Sequence, residues 1–114
     1  MHEVSIALNL IGIASDQCKK HGCSIIESVN IRVGRASGVM SDALLFAFDA
    51  IKEGPVAGNA VLNIEEIPVS GHCGDCGSNF TTEEEYVLCC PACGGTSFRI
   101  TAGRELDIID MEVS

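Results

Sequence analysis

Apolar side chains recur every three or four residues between residues 4 and 20. This spacing places them along one side of a helix and predicts an amphipathic α-helix. Three further aliphatic residues widen the apolar stripe, which indicates a helix that is covered on more than one side. Lys19, Lys20 and Gly22 mark its predicted end. The apolar positions are Val4, Ile6, Ala7, Leu8, Leu10, Ile11, Ile13, Ala14 and Cys18.

Two later stretches change to a period of two. Residues 25–33 and 59–67 alternate apolar and polar positions, although Glu27 interrupts the apolar face of the first. This alternation is typical of half-buried β-strands, so each stretch predicts one strand. Gly34 and Gly38 bracket a turn after the first strand.

A second helix is predicted between these strands, over the run ALLFAFDAIK. Ser41 is a suitable N-cap residue, and Asp42 would lie at the positive end of the helix dipole. Gly54 followed by Pro55 should end this helix.

The composition changes from Ser70 to about Thr101, where glycine and cysteine are dense and the aliphatic periodicity disappears. Residues 105–113 then return to strand character. A short strand is not stable alone, so it should pair with the earlier strands. We therefore predict an α/β fold class, with a small domain of two helices and a roughly three-stranded sheet. Residues 1–69 form this domain, the returning strand within 102–114 completes it, and residues 70–101 form an inserted zinc-ribbon-like module.

Four of the seven cysteines follow a metal-binding pattern in this module. Two C-x2-C pairs are separated by thirteen residues, and a glycine follows each second cysteine. A two-residue gap lets a tight turn direct two thiolates at one point, and glycine relieves crowding where the chain bends back. Four such sulfurs form the tetrahedron that zinc accepts. The predicted zinc ligands are Cys73, Cys76, Cys90 and Cys93.

The other cysteines are interpreted as non-ligands. Cys89 would break the two-residue gap, while Cys18 and Cys23 lie in the helical region. We interpret these three as small buried hydrophobic residues or spare thiols. Four cysteines also close the coordination shell, whereas a catalytic zinc keeps one position open, so the predicted zinc is structural.

Iron competes with zinc for such a site, because the sequences CGDCG and CPACG look like the cysteine loops of rubredoxins. A rubredoxin-like core uses packed aromatic residues, which we expect this segment to lack, and it would not explain the first seventy residues. A nucleic-acid-binding zinc ribbon is the other alternative, and a zinc adaptor without a second metal is a third. Glu83, Glu84 and Glu85 between the cysteine pairs argue against nucleic acid.

Charge and hydropathy narrow the possible partners. The formal net charge is −9, from 7 basic and 16 acidic residues. This charge repels nucleic acids and favours cations or a basic partner surface. No apolar run approaches the ~20 residues needed to cross a bilayer, and the N-terminus lacks the features of a secretory signal. We therefore expect a cytoplasmic protein that binds neither nucleic acid nor membrane.

The first three residues, MHE, can form a second metal site. The α-amine, the deprotonated amide nitrogen of His2 and its imidazole close fused five- and six-membered chelate rings. The Glu3 amide nitrogen or an incoming side chain can take the fourth place. Four nitrogens in a plane suit Ni(II) or Cu(II). The amine must lose its proton, so binding at such a site would depend on pH.

MHE, the segment VGRASGVMSDALLFAFDAIKEG and the sequence CGDCG…CPACG with a returning strand together resemble the HypA/HybF family. The resemblance covers essentially the whole chain. It implies a nickel metallochaperone for maturation of nickel–iron hydrogenase. The implied nickel site comprises Met1, His2 and Glu3, and the implied structural zinc site comprises the four cysteines in C-x2-C pairs.

The resemblance also implies partners, namely the GTPase HypB and the precursor of the hydrogenase large subunit. Some members of the family serve urease maturation. The chain is expected to be a monomer or homodimer. It shows no set of catalytic residues and is not expected to be an enzyme. A rubredoxin-like iron electron carrier remains the alternative function.

His72, beside the first zinc ligand, could respond to pH or lend a donor to nickel, while His21 is expected at a solvated helix end.

Overall fold

The computed structural model describes residues 3–84 and 86–114. Within these residues the chain forms α1 (Glu3–Lys20), β1 (Ile26–Gly34), α2 (Ser41–Ile51), α3 (Gly54–Ala57), β2 (Val61–Ile67), β3 (Val69–Cys73), β4 (Asn79–Thr82), β5 (Phe98–Ala102) and β6 (Leu106–Val113). It divides into two compact units. The first comprises Met1–Arg32, Val39–Glu65 and Asp107–Ser114, and the second comprises Val33–Gly38 and Glu66–Leu106.

The first unit contains a three-stranded sheet in the order β2-β1-β6. The central strand buries Val29 and Ile31 among the residues of the hydrophobic core. Asn63 donates a hydrogen bond to Asn30, and Arg32 forms an ion pair with Glu65. Because both pairs advance in the same direction along the chain, β1 and β2 run parallel. The helical segment between them makes the crossover that parallel strands require.

Strand β6 lies beside β1 in this sheet. The buried Ser28 hydroxyl donates a hydrogen bond of 2.8 Å to Glu112, and the Asn30 amide donates one of 2.6 Å to Asp110. These bonds follow opposite orders along the two strands, so β6 is antiparallel to β1. The segment that follows the cysteines therefore completes the sheet that the first residues begin.

Helix α1 confirms the predicted amphipathic helix. Its buried positions are Ala7, Leu10, Ala14 and Cys18. Its end corrects our interpretation of two cysteines as spare thiols, because the sulfurs of Cys18 and Cys23 are bonded to each other. The turn at Gly22 brings them together, and this arrangement could not be read from their separation in sequence alone.

The start of α2 differs from the prediction. Ser41 is the first helical residue, and the N-cap is Met40, which makes no side-chain capping bond. The backbone N–H of Met40 instead donates a 3.3 Å hydrogen bond to the Glu3 carboxylate. A carboxylate from α1 therefore lies at the positive end of the α2 dipole, where it is electrostatically favourable.

The end of α2 also differs from the prediction. This helix already ends at Ile51, before Gly54 and Pro55, which instead begin the short helix α3. Proline is tolerated in the first helical turn because its missing N–H has no partner there in any case. Gly54 has φ +86°, a conformation that suits glycine.

The second unit contains a sheet in the order β4-β3-β5, which the sequence did not predict. Strand β3 pairs antiparallel with both neighbours. A β-carbon at Gly71 would collide with the Phe80 ring, so this glycine makes room for the aromatic side chain across the strand pair. These strands are short and rich in small polar residues, and therefore lack a clear apolar alternation.

None of the helices in the described part of the chain combines the length and the apolar character that crossing a membrane requires.

Removal of residues 106–114 should unfold the first unit, because it exposes the edge of β1 and leaves the Ser28 hydroxyl without its carboxylate partner. We expect a large loss of ellipticity and of cooperative thermal unfolding, measured by circular dichroism. The matched control is Asp107→Ala, a change at an exposed residue of the same strand. A truncated chain that melts like the full-length chain would show that β6 is dispensable.

Candidate metal centre

Four cysteine sulfurs come together in the second unit. The Sγ atoms of Cys73, Cys76, Cys90 and Cys93 all lie within 4.8 Å of one another. The Cys73–Cys93 and Cys76–Cys90 sulfur pairs are 3.6 Å and 3.8 Å apart. A tetrahedral zinc with bonds of about 2.3 Å to sulfur requires sulfur–sulfur distances of about 3.8 Å. The cluster therefore has the size and the donor set for one tetrahedral, thiophilic metal ion.

Each cysteine pair is held by the same backbone turn. In both turns the first cysteine donates its N–H to the carbonyl five residues later and accepts a bond from the N–H four residues later. Gly77 and Gly94 occupy the equivalent fifth positions, and each has φ +75°. The four bonds are Cys73 to Ser78 at 2.9 Å, Gly77 to Cys73 at 2.9 Å, Cys90 to Gly95 at 2.8 Å and Gly94 to Cys90 at 2.8 Å.

The two cysteines of each pair differ in burial. Cys73 and Cys90, the first of each pair, are buried, whereas the second cysteines are exposed. The two buried cysteines form a core cluster with Phe80, against which Val87 and Phe98 pack. A metal in this site would therefore join the core of the second unit to its surface turns.

This core corrects one step of the sequence analysis. Phe80 and Phe98 pack edge to face, with ring centroids 5.9 Å apart, so the segment does contain packed aromatic residues. Their absence was an argument against a rubredoxin-like iron site, and that argument is wrong. The geometry of four thiolates accommodates iron as well as zinc, so the choice of metal must rest on other observations.

Two of the four cysteine thiols have pKa values that are shifted in opposite directions. Hydrogen bonds from the Ser78 side chain and then from its backbone N–H lower the pKa of Cys76 to about 6. At Cys93 the backbone N–H of Gly95 lowers the pKa, but the neighbouring Cys73 thiol and burial outweigh it and raise the pKa to about 12. Metal binding must displace the remaining protons, and this makes affinity depend on pH.

The remaining predicted site residues are distributed as follows. Met1 and His2 lie outside the described residues, while Glu3 begins α1. Cys89 is an exposed thiol outside the four-sulfur cluster. His72 lies on β3 with its Nδ1 atom 2.7 Å from the Asn79 side-chain oxygen, so we assign the hydrogen to Nδ1. His21 is exposed in the turn after α1.

Two residues that support the thiolates were missed from the sequence. Ser78 acts on the Cys76 sulfur, and the Gly95 N–H donates to the Cys93 sulfur at 3.4 Å. Both residues stand two positions after the second cysteine of their pair. That shared position is the signal that could have identified them.

Replacing Cys90 with alanine should weaken zinc binding by at least about 100-fold, more than the roughly 10- to 100-fold effect of losing an outer-shell partner. It removes a buried ligand and part of the core, so residues 66–106 should also loosen. The matched control is Cys89→Ala, which removes the adjacent exposed thiol. Zinc content by elemental analysis and hydrogen exchange of this segment measure both effects, and equal zinc loss in the two variants would contradict the ligand assignment.

Replacing Ser78 with alanine should make zinc dissociate at a higher pH. Loss of the hydroxyl raises the pKa of Cys76, so a proton competes more strongly for this sulfur. At pH values well below this pKa, a rise of one unit would weaken binding about tenfold. Zinc release to a coloured chelator, followed across a pH series, measures the change. Ser97→Ala is the control, since the Ser97 carbonyl that accepts the Gly74 N–H is retained. An unchanged release pH would exclude the role of the hydroxyl.

Comparison with known proteins places this geometry in a family. Residues 1–113 match the HypA family, described as "Hydrogenase/urease nickel incorporation, metallochaperone, hypA". Two relatives named hydrogenase maturation factor HypA are 41% identical, from Rhizobium leguminosarum bv. viciae, and 40% identical, from Chloroflexus aurantiacus. The alignments cover 99% of both chains in the first case and 98% in the second.

Two solved structures have the same fold. The solution structure of the nickel metallochaperone HypA from Helicobacter pylori aligns with a TM-score of 0.67 and 28% identity, covering 99% of this chain and 97% of its own. A second HypA solution structure aligns with a TM-score of 0.71 and 27% identity, covering 100% and 97%. The predicted resemblance is confirmed: the chain belongs to the HypA family of metallochaperones for hydrogenase and urease nickel incorporation.

Proposed function

We propose that this protein binds Ni(II) at its N-terminus through Met1, His2 and Glu3 and delivers it during maturation of nickel–iron hydrogenase. The observation that carries the proposal is the family match over residues 1–113, which includes the MHE start. The family is described as a metallochaperone, so the expected activity is binding and transfer of a metal and not catalysis.

The donor chemistry of the first residues supports nickel over zinc. The amine, the His2 amide nitrogen and the imidazole form two fused chelate rings, and fused rings favour a planar arrangement of nitrogens. Ni(II) accepts such a plane, whereas zinc prefers a tetrahedron. The formal charge of −9 also favours attraction of a cation.

The contacts of Glu3 distinguish two ways in which it could contribute to the site. Its carboxylate accepts the Met40 backbone N–H and so connects the start of α1 with the start of α2. If nickel takes the Glu3 amide nitrogen, this bond remains intact, and Glu3→Gln should bind nickel normally. If nickel takes the carboxylate, Glu3→Gln replaces an anionic oxygen with a neutral amide and should bind nickel less tightly.

The four-cysteine cluster supports a second, structural metal, for which we propose zinc. Cys73, Cys76, Cys90 and Cys93 supply four thiolates and leave no open coordination position. A closed shell retains its metal, whereas a site for delivery must exchange it. We therefore assign zinc to the cysteines and the transported nickel to the N-terminus. The visible spectrum separates zinc from iron, because ferric iron in four thiolates is red.

The proposed partners are the GTPase HypB and the precursor of the hydrogenase large subunit, and the proposed location is the cytoplasm. The relatives are named as maturation factors, which supports interaction with other maturation proteins. Pull-down of the untagged, nickel-loaded chain with each purified partner tests this part of the proposal.

Two unlike changes at the N-terminus should have the same effect on nickel. His2→Ala removes the imidazole, and an N-terminal extension converts the Met1 amine into an amide. Each deletes one chelate ring and should weaken binding by several kcal/mol, where a tenfold loss is about 1.4 kcal/mol. Isothermal titration of zinc-loaded protein with nickel measures the loss, and zinc content should not change.

The other two histidines provide matched controls for this experiment. His21→Ala and His72→Ala also remove one imidazole each and should bind nickel like the parent chain. Nickel affinity of the parent should fall on acidification, because protons compete for the amine and imidazole. If the extended chain holds nickel unchanged, the amine is not a ligand. If His72→Ala loses nickel while His2→Ala retains it, the site lies beside the cysteine cluster.

A further inference from the structure

The end of α1 has the backbone geometry of a Schellman motif. The N–H of Gly22 donates to the Lys19 carbonyl at 3.3 Å, and the N–H of Cys23 donates to the Cys18 carbonyl at 3.0 Å. Gly22 has φ +71°, the left-handed conformation that this motif requires after the helix. The first bond closes a stretch of four residues and the second a stretch of six, the pattern that defines the motif, so the backbone fixes the chain direction after α1.

A Schellman motif brings two particular side chains together. The residue in the third position from the helix end and the second residue beyond the helix usually make a hydrophobic contact. Here these positions hold Cys18 and Cys23, whose sulfurs are bonded and whose Cα atoms are 5.0 Å apart. This Cα separation lies within the roughly 4.4–6.8 Å that disulfides use. A disulfide therefore occupies the position of the hydrophobic contact that usually accompanies the motif.

We propose that Cys18 and Cys23 are a reversible dithiol–disulfide pair that exchanges with low-molecular-weight disulfides of the glutathione class. The pair is distinct from the metal-binding cysteines, since Cys18 and Cys23 belong to the first compact unit and the four-sulfur cluster belongs to the second. Cytoplasmic glutathione keeps most thiols reduced, so a pair of this kind responds to changes in the glutathione ratio.

The surroundings of the pair set the order of the exchange. Cys18 is only 2% exposed, whereas Cys23 is half-buried and is reached first from solvent. The residues after Cys23 are anchored, because the N–H groups of Ser24 and Ile25 donate to the carbonyl of Ser114 at 2.8 Å and 3.1 Å. The pair therefore spans a turn that is fixed on one side by the helix and on the other by the hydrogen bonds to Ser114.

The exchange balances without any other reagent. The Cys23 thiolate attacks one sulfur of glutathione disulfide, forms a mixed disulfide and releases one glutathione thiolate. The Cys18 thiolate then attacks the Cys23 sulfur and releases the second glutathione. The protein loses two electrons and two thiol protons, and one glutathione disulfide becomes two glutathiones. Excess glutathione drives the same steps in reverse.

The test uses the full-length, zinc-loaded chain in buffers with a series of ratios of glutathione to its disulfide. After equilibration, free thiols are trapped by acid quenching and alkylation, and digestion followed by mass spectrometry locates the disulfides. We expect a Cys18–Cys23 linkage that appears with oxidising ratios and disappears with reducing ones, while bound zinc stays constant. Cys89→Ser should behave like the parent chain.

Single variants identify the partners. Cys18→Ser should leave Cys23 as a mixed disulfide with glutathione, and Cys23→Ser should leave Cys18 as a thiol or mixed disulfide. Two results would overturn the proposal: both cysteines alkylated in the parent chain at the most oxidising ratio, or linkage of either one to Cys89 instead. If a variant fails to fold, the disulfide mapping of the parent chain is sufficient to test the proposal.

The role of the turn is tested at Gly22. A β-carbon there would meet no atom within 4 Å, so Gly22→Ala changes only the cost of the positive φ. The disulfide holds the turn while the reduced chain can relax, so half-oxidation should require a ratio about five- to thirtyfold more oxidising, matching the cost of an L-residue in this conformation. Gly12→Ala, also in open space but within α1, should cause no shift. Equal effects of the two changes would overturn the role of the turn.

Discussion

The chain leaves the first sheet after β2 and returns to it as β6, so the two segments that connect the sheet with the cysteine-containing strands must both be held in place. The last residue of β1 and the two residues after it hydrogen-bond to both connecting segments. The N–H of Arg35 donates to the Ile67 carbonyl, while Gly34 and Ala36 donate to the carbonyls of Glu105 and Gly103. A β-carbon at Gly34 would collide with the Gly103 backbone. The glycine at position 34 therefore permits the end of β1 to lie close to the returning segment at Gly103.

The metal centre lies in the part of the second unit where the core is small. Its described core cluster is small, with two of its three buried members being cysteines. Small modules rarely bury enough apolar surface to fold alone, and a structural metal then supplies folding free energy directly. In the proposed account, one zinc ion is bound by both turns. The buried cysteine of each turn lies next to the exposed cysteine of the other, with sulfur–sulfur distances of 3.6 Å and 3.8 Å. In this proposal zinc stabilises the fold, and the N-terminus carries nickel.

The features with strong local signals were predictable from the sequence. The three-and-four spacing of α1, the alternation in β1 and the two cysteine turns each reflect a single short-range rule, and the structure has all three. The strands around the cysteines were missed because glycine, serine and threonine give no apolar alternation. The predicted N-cap of α2, Ser41, was wrong. The N-cap is Met40, whose backbone N–H donates to the carboxylate of Glu3, a residue thirty-seven positions away in the sequence. The Cys18–Cys23 bond was missed because it depends on the handedness of the turn at Gly22.

The central claim is that one chain holds two metals in chemically different sites, one for the fold and one for delivery. X-ray absorption spectroscopy at the zinc and nickel edges tests this directly on the untagged chain loaded with one equivalent of each metal. The account predicts zinc with four sulfur neighbours at about 2.3 Å. It predicts nickel with nitrogen or oxygen neighbours only, in a planar arrangement. Sulfur neighbours around nickel, or loss of zinc–sulfur scattering as nickel is added, would contradict it.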